Sequence, residues 1–228
     1  MTVAKIDVGR NVYGKNDAQA EENRQLFRRL GLCAINLLSS PGAGKTSLLE
    51  RTAVHLKDRL RLLVIDGDVE TEHDAERLRR HGLAAIQIQT HGSCHLDATR
   101  IAQQFDQVRL ADFDLLLIEN IGNLVCPSNF DLGESFRVVV ASTTEGDDKP
   151  VKYPEAYHSA DLCVLNKVDL LPYVPFSVEA FEAGARRVNE RLRFLHTSCT
   201  TDEGIASWCQ WLLECAGRRS TGDQEAAV

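Results

Sequence analysis

No stretch of the chain reaches the roughly 18 to 20 consecutive apolar residues that a membrane-crossing helix needs. The amino terminus, MTVAKIDVGR, also lacks the long apolar core of a secretion signal. Membrane insertion is therefore not expected, and the cytoplasm is the expected compartment. Positive charge is scarce as well: 26 lysines and arginines face 33 acids, a formal charge of -7. Without a basic stripe wide enough for many phosphate contacts, nucleic-acid binding is not expected. The seven cysteines are odd in number and form no tight framework, which fits reduced thiols with one or two free to bind metal. The chain is also not poor in apolar residues. At 43% apolar and 26% charged over 228 residues it can build a core, and one α/β domain with short tails is the natural expectation.

What is present centres on residues 35–50, Ile-Asn-Leu-Leu-Ser-Ser-Pro-Gly-Ala-Gly-Lys-Thr-Ser-Leu-Leu-Glu, an apolar run followed by a glycine-rich turn and an amphipathic stretch. This reads as strand, phosphate loop and helix. Glycines allow a tight backbone turn around phosphate oxygens, amides at the helix start point at them, and a lysine adds a point charge. The phosphate-binding set is Gly42, Ala43, Gly44, Lys45, Thr46 and Ser47, with the Thr46 hydroxyl placed for a magnesium ion. The general pattern G-x-x-x-x-G-K-[ST] would occupy 39–46, but its first position is Ser39 rather than glycine.

Around this word, short apolar strands are expected at 32–38, 61–66, 84–88, 113–119, 136–142, 161–165 and 193–197. Helices are expected at 17–30, 45–60, 74–80, 98–104, 154–159 and 177–191. The alternation predicts a P-loop NTPase with a mostly parallel sheet and helices on both faces, whose ligands lie beyond the carboxyl ends of the strands. The expected organisation is an N-terminal arm and helix at 1–31, a GTPase domain at 32–216 and a flexible tail at 217–228. Polar residues at 39–46, 66–74, 119–123 and 166–169 all follow strands and converge on one edge.

Asn166-Lys167-Val168-Asp169 follows the strand Leu162–Leu165. An aspartate can accept two hydrogen bonds from the N1–H and exocyclic amine of guanine, while adenine has an acceptor at N1 and no amine at that carbon. Asp169 would therefore select guanine, Lys167 would pack across the base, and Asn166 would brace the loop. Ser198, within Thr197-Ser198-Cys199-Thr200-Thr201, is a further candidate near the base. Asp66, Asp68 and Glu119 end strands as candidate magnesium carboxylates, and Gly122 reads as the mobile point of a γ-phosphate-sensing loop.

A second site of different chemistry is suggested by Cys94-His95 and Cys126-Pro127. Thiolates with an imidazole suit zinc or nickel, whereas magnesium prefers hard oxygens. Three ligands leave a four-coordinate site incomplete, so a site shared across a two-fold axis is one option, with His91 a nearby alternative. Cys33, Cys163, Cys209 and Cys215 read as packing residues. Cys126 lies four residues beyond Gly122, close enough for nucleotide state to reach the metal loop.

These words together resemble the HypB family of hydrogenase maturation GTPases. The resemblance rests on Lys15-Asn16-Asp17 with Asn23-Arg24, Ser39 through Thr46, Asp74-Ala75-Glu76-Arg77, Cys94 through Ala98, Glu119 through Pro127, and Asn166 through Asp169. In that family Ser39 is the usual first residue of the loop. The resemblance implies a GTP-dependent homodimer with magnesium around Thr46, Asp74 and Glu119, and Zn2+ or Ni2+ at Cys94, His95 and Cys126. It also implies a HypA-like nickel chaperone as partner and the [NiFe] hydrogenase large-subunit precursor as the final recipient. Lys45, Thr46, Asp74 and Glu119 would carry hydrolysis by positioning and electrostatics, without a single general base. The cysteine-rich N-terminal motif and histidine-rich stretch of many relatives do not occur in this sequence, so nickel storage is not implied. The alternatives are a small-molecule kinase, a urease-serving GTPase of the same class, and a nucleotide-regulated scaffold.

Overall fold

Every residue of Cys33–Ser39 (β1) is buried, as a strand covered on both faces requires. Its side chains alternate between two apolar layers: Cys33, Ile35 and Leu37 enter one, Ala34 and Leu38 the opposite side. A computed structural model describes the backbone of residues 8–68, 73–90 and 92–222, with side chains described within 13–67, 76–90 and 92–217.

The other strands are Leu62–Asp68 (β2), Ala84–Gln89 (β3), Leu115–Gly122 (β4), Phe136–Ser142 (β5), Leu162–Asn166 (β6) and Arg193–His196 (β7). They form one seven-stranded sheet in the order β3-β2-β4-β1-β5-β6-β7, and every neighbouring pair is parallel. The carboxyl ends of all strands therefore share one edge, which carries Ser39, Asp66, Glu119 and Asn166. The chain leaves β1 toward β2 on one side and later fills the other side with β5 to β7, so the crevice for a ligand opens at the end of β1.

The helices are Val8–Leu30 (α1), Lys45–Leu56 (α2), His73–Arg80 (α3), Ala98–Ala102 (α4), Lys149–Lys152 (α5), Pro154–His158 (α6), Val178–Val188 (α7) and Ile205–Gly222 (α8). One face of the sheet is covered by α2 and α8 through Leu48, Leu49, Ala53, Trp208 and Leu212. The other is covered by Phe27 of α1 with Leu96 and Ile101, and by Tyr157 and Phe181 of α6 and α7. The indole N–H of Trp208 donates to Thr52 Oγ1 at 2.8 Å, joining α8 to α2 inside the core.

Three elements differ from the sequence expectation, one of them the short helix α5, which has no expected counterpart. Helix α1 begins at Val8, so Gly14-Lys15-Asn16 lies within a helix instead of an extended arm. A mid-helix glycine costs about 1 kcal/mol relative to alanine, and tertiary bonds from buried Asn16 offset it. Helix α8 was not expected at all. Its apolar residues Ile205, Trp208, Leu212 and Cys215 follow helical spacing and are buried. It extends to Gly222, past the tail boundary expected at 217. Residues 1–7 and 223–228 lie outside the described residues.

Candidate functional site: a phosphate loop beside a thiol pair

The turn between β1 and α2 is built by two glycines with left-handed backbones, Gly42 at φ 77° and Gly44 at φ 98°. Gly44 is also sterically required: a Cβ there would lie 2.4 Å from Asn166 Nδ2. Lys45 Nζ donates to Ser39 Oγ at 2.5 Å. The serine at the first motif position thus gives the buried lysine a local acceptor, and its backbone is not among the positive-φ residues that would demand glycine. Thr46 Oγ1 donates to Glu119 Oε1 at 2.9 Å, and Asp66 sits opposite Glu119 in the β2–β4 ladder.

A cavity of about 470 Å³ opens over this turn. Gly42, Ala43, Gly44, Lys45, Thr46, Ser47, Glu119 and Lys167 line it together with Asp66, Arg77 and Asn120. The carboxylates and the Thr46 hydroxyl supply hard oxygens at one end of a loop built for phosphate, a donor set that fits magnesium. Asp74 lies on α3 with its side chain outside the described residues, as is that of Asp68.

Asn166, Asp169 and Ser198 do not line the cavity. Asn166 is buried and donates to Ala43 O at 3.0 Å while its Oδ1 accepts from Thr197 Oγ1 at 3.2 Å. It joins the phosphate turn to the 197–201 turn. Lys167 has a left-handed backbone, φ 62°, and its Nζ donates to Gly42 O at 2.7 Å. Half-buried Asp169 follows in the first turn of the 3-10 segment Val168–Tyr173. Ser198 is buried, and its hydroxyl accepts from the amides of Thr200 at 3.2 Å and Thr201 at 3.1 Å. The side chain thereby shapes its own turn.

Sequence reasoning missed Glu145 and Lys149 on the segment after β5. Lys149 Nζ donates to Ser40 Oγ at 3.2 Å and lies 3.8 Å from Glu145 Oε2. Burial pushes the Glu145 carboxyl above the usual range, against the opposing pull of Ser40 and Lys149. The available signal was topological, because β5 adjoins β1 and its end must reach the same edge.

The end of β4 continues from this cavity to the thiols. Gly122 is packed under the loop: a Cβ there would lie 3.1 Å from Pro41 Cα. Its φ is outside the positive range, so what the missing side chain allows here is close approach to Pro41. Asn123 Nδ2 donates to Cys94 O at 3.4 Å. Interaction with the neighbouring Cys126 thiol raises the Cys94 pKa, with burial adding to the effect. His95 Nδ1 is 3.6 Å from Cys94 Sγ, but its ring stacks on Phe130 with centroids 3.9 Å apart. Burial holds the His95 imidazole below its usual pKa, which favours the neutral form that a metal requires. Among the described residues no three His, Cys, Asp or Glu side chains gather to hold a metal. The thiol pair with its adjoining imidazole is a soft donor set that suits nickel or zinc, but one chain leaves it open. His91 lies outside the described residues.

A parallel sheet with a phosphate loop at its switch point and acids on neighbouring strand ends defines a P-loop nucleotide-binding protein. The family model for the CobW/HypB/UreG nucleotide-binding domain matches residues 33–196. The hydrogenase maturation factor HypB of Rhizobium leguminosarum bv. viciae is 50% identical over 215 residues, 94% of this chain and 72% of the relative. The crystal structure of HypB from Archaeoglobus fulgidus superposes with a TM-score of 0.84 at 41% identity, covering 89% of this chain and 99% of that one. HypB from Helicobacter pylori, solved in complex with nickel, gives a TM-score of 0.86 at 36% identity, covering 90% and 96%. The chain belongs to the HypB family of hydrogenase maturation factors. Membership places it among nucleoside triphosphatases. No helix of the described residues is long and apolar enough to cross a membrane.

Proposed function

We propose that this chain binds GTP, hydrolyses it to GDP and phosphate, and uses the change of nucleotide to govern a nickel ion held by Cys94 and Cys126. The observation that carries the reading is the continuity of residues 119–126. Glu119 is bonded to Thr46 of the phosphate loop, Gly122 presses on Pro41, Asn123 holds the Cys94 carbonyl, and Cys126 meets the Cys94 thiol. Loss of the γ-phosphate at one end is thereby felt at the thiols at the other.

In this reading Lys45 and the amides of 42–47 bind the triphosphate, and Asp169 reads the guanine while Asn166 and Lys167 brace its loop. Thr46 and Glu119, with Asp66 opposite Glu119 in the sheet and Asp74 of α3, would hold magnesium, which when bound supplies positive charge against the phosphate oxygens. The chain's own contribution is position: Lys45 and the amides of the glycine turn hold the triphosphate, and the Thr46 hydroxyl, fixed by its bond to Glu119, would be ready beside it for the magnesium ion. Nickel is cargo, with zinc the competing ion. The open thiol pair fits a homodimer in which Cys126 of both copies, with Cys94 or His95, completes the coordination. The recipients are a HypA-like nickel chaperone and, beyond it, the [NiFe] hydrogenase large-subunit precursor, in the cytoplasm.

The test is titration of nickel and of zinc into apo protein with GDP or a non-hydrolysable GTP analogue, while mass is recorded. Nickel affinity is expected to differ at least about fivefold between nucleotides, a typical coupling between sites. Equal affinity and unchanged mass overturn the switch. Adenine nucleotides that bind as well as guanine nucleotides overturn the base assignment, and Asp169→Asn is expected to weaken GDP binding by tenfold or more.

A further inference from the structure

The words Lys15-Asn16-Asp17 and Asn23-Arg24 have no part in nucleotide chemistry, yet they contain two of the buried polar side chains of α1. Asn16 and Asn23 are 5% and 2% exposed. Seven residues apart, they fall on one face of the helix, two turns from each other. A buried amide must satisfy both its donor and acceptor groups, and where these bonds go is informative.

Asn16 Oδ1 accepts from Ala98 N at 2.9 Å, and its Nδ2 donates to Asp131 O at 2.8 Å. Asn23 Nδ2 donates to Ala98 O at 3.0 Å and to Leu132 O at 3.1 Å. Its Oδ1 accepts from Gln19 Nε2 at 3.2 Å. The two amides therefore take both main-chain groups of Ala98, four residues after Cys94, and the carbonyls of Asp131 and Leu132, shortly after Cys126. Each amide spans both metal-loop segments at once.

The same junction is tightened from other directions. Arg24 pairs with the Asp131 carboxylate. Gly133, at φ 85°, lies so close to α1 that a Cβ would stand 2.5 Å from Ala20 O. Phe130 is stacked against His95 and touches Tyr13, with centroids 5.4 Å apart. By contrast, the nucleotide side reaches this loop through two long bonds, from Asn123 Nδ2 to Cys94 O at 3.4 Å and from Leu96 N to Asn120 Oδ1 at 3.3 Å.

We propose that Asn16 and Asn23 are positioning residues for the thiol pair, clamping the chain beyond Cys94 and the chain beyond Cys126 into one frame so that the two sulfurs meet. The α1 helix is then the stationary side of the metal site and the end of β4 the moving side. This rests on the nickel reading above for its consequence, but the clamp itself concerns only the two sulfurs.

The experiment separates the two. Asn16→Asp and Asn23→Asp keep the shape and remove the donors to Asp131 O, Ala98 O and Leu132 O. The first readout, without metal, is the rate at which diamide closes the Cys94–Cys126 disulfide, mapped by mass spectrometry. The second is nickel affinity from the thiolate-to-nickel absorption. GDP affinity is the internal control. Each variant is expected to close the disulfide at least tenfold more slowly and to bind nickel at least tenfold more weakly, with GDP affinity within twofold of the parent. Phe27→Leu loosens the same helix through the apolar core and leaves both amides in place; it is expected to lower thermal stability without changing disulfide closure. If Phe27→Leu slows closure as much as the asparagine variants at equal stability, or if those variants close at the parent rate, the clamp is overturned. Should an aspartate variant fail to fold, Asn16→Ser, which shortens only one bridge, carries the same comparison. Absence of nickel binding by the parent would count against the metal reading and leave the closure rates to judge the clamp.

Discussion

Replacing Gly44 by alanine asks two things of the phosphate turn that replacing Gly42 does not. Both residues have left-handed backbones, φ 77° at Gly42 and 98° at Gly44, and an alanine held there costs about 1–2 kcal/mol. At Gly42 nothing lies within 4 Å of the added methyl group, so that conformational cost is the whole effect. At Gly44 the methyl group meets Asn166 Nδ2 at 2.4 Å. Asn166 must then leave Ala43 O and Thr197 Oγ1, its partners at 3.0 and 3.2 Å. Stranding a buried amide costs about 1–3 kcal/mol, so Gly44→Ala is expected to lose about 2–5 kcal/mol in total. Urea unfolding of both variants without nucleotide gives the difference directly. GDP affinity is expected to fall further in Gly44→Ala, because the lost bonds join the phosphate turn to the base loop. If the two variants differ by less than about 0.5 kcal/mol in stability, Asn166 is not the brace described here.

Thr52→Val is expected to cost about 1–3 kcal/mol, because it strands the buried Trp208 indole N–H. GDP affinity should hold, and a melting temperature equal to the parent's would refute the assignment. Glu145 gives a pH prediction: its folded pKa is raised above 4.5 by burial, so the native state holds the extra proton and stability falls as pH rises from about 4.5 through the folded pKa. Glu145→Gln should flatten that part of the stability profile, and an unchanged slope would count against it. Gly204→Ala would bring a methyl group 1.8 Å from His196 O at a φ of 69°. A loss of about 3 kcal/mol or more is expected from strain and overpacking, and a variant that melts with the parent would show that the 197–204 turn yields more easily than described.

The phosphate turn is legible in the sequence because its geometry is local: glycines, lysine and threonine at fixed spacing after an apolar strand. The parallel sheet is legible for the same reason, since apolar strands alternating with helices leave few other architectures. What escaped depends on contacts between distant segments. The role of Asn16 and Asn23 needs residues 98 and 131–132 in view. Lys149 reaches Ser40 across more than a hundred residues. The close approach of Gly122 to Pro41 joins residues some eighty positions apart. Helix α8 is a different failure, for its spacing of Ile205, Trp208, Leu212 and Cys215 was visible. Ser207, Cys209 and Cys215, interspersed along the helix, obscured an apolar stripe that covers α2.

The position of β1 has a consequence for how the molecule is made. Cys33 pairs with Leu115 and Ile35 with Phe136, so both neighbours of the central strand emerge from the ribosome long after it does. The phosphate loop is thus synthesised early and left without its supporting ladder until β5 appears. Nonlocal pairing of this kind slows folding and leaves apolar strand edges exposed meanwhile. Nascent chains halted before residue 136 should therefore be protease-sensitive and candidates for chaperone capture.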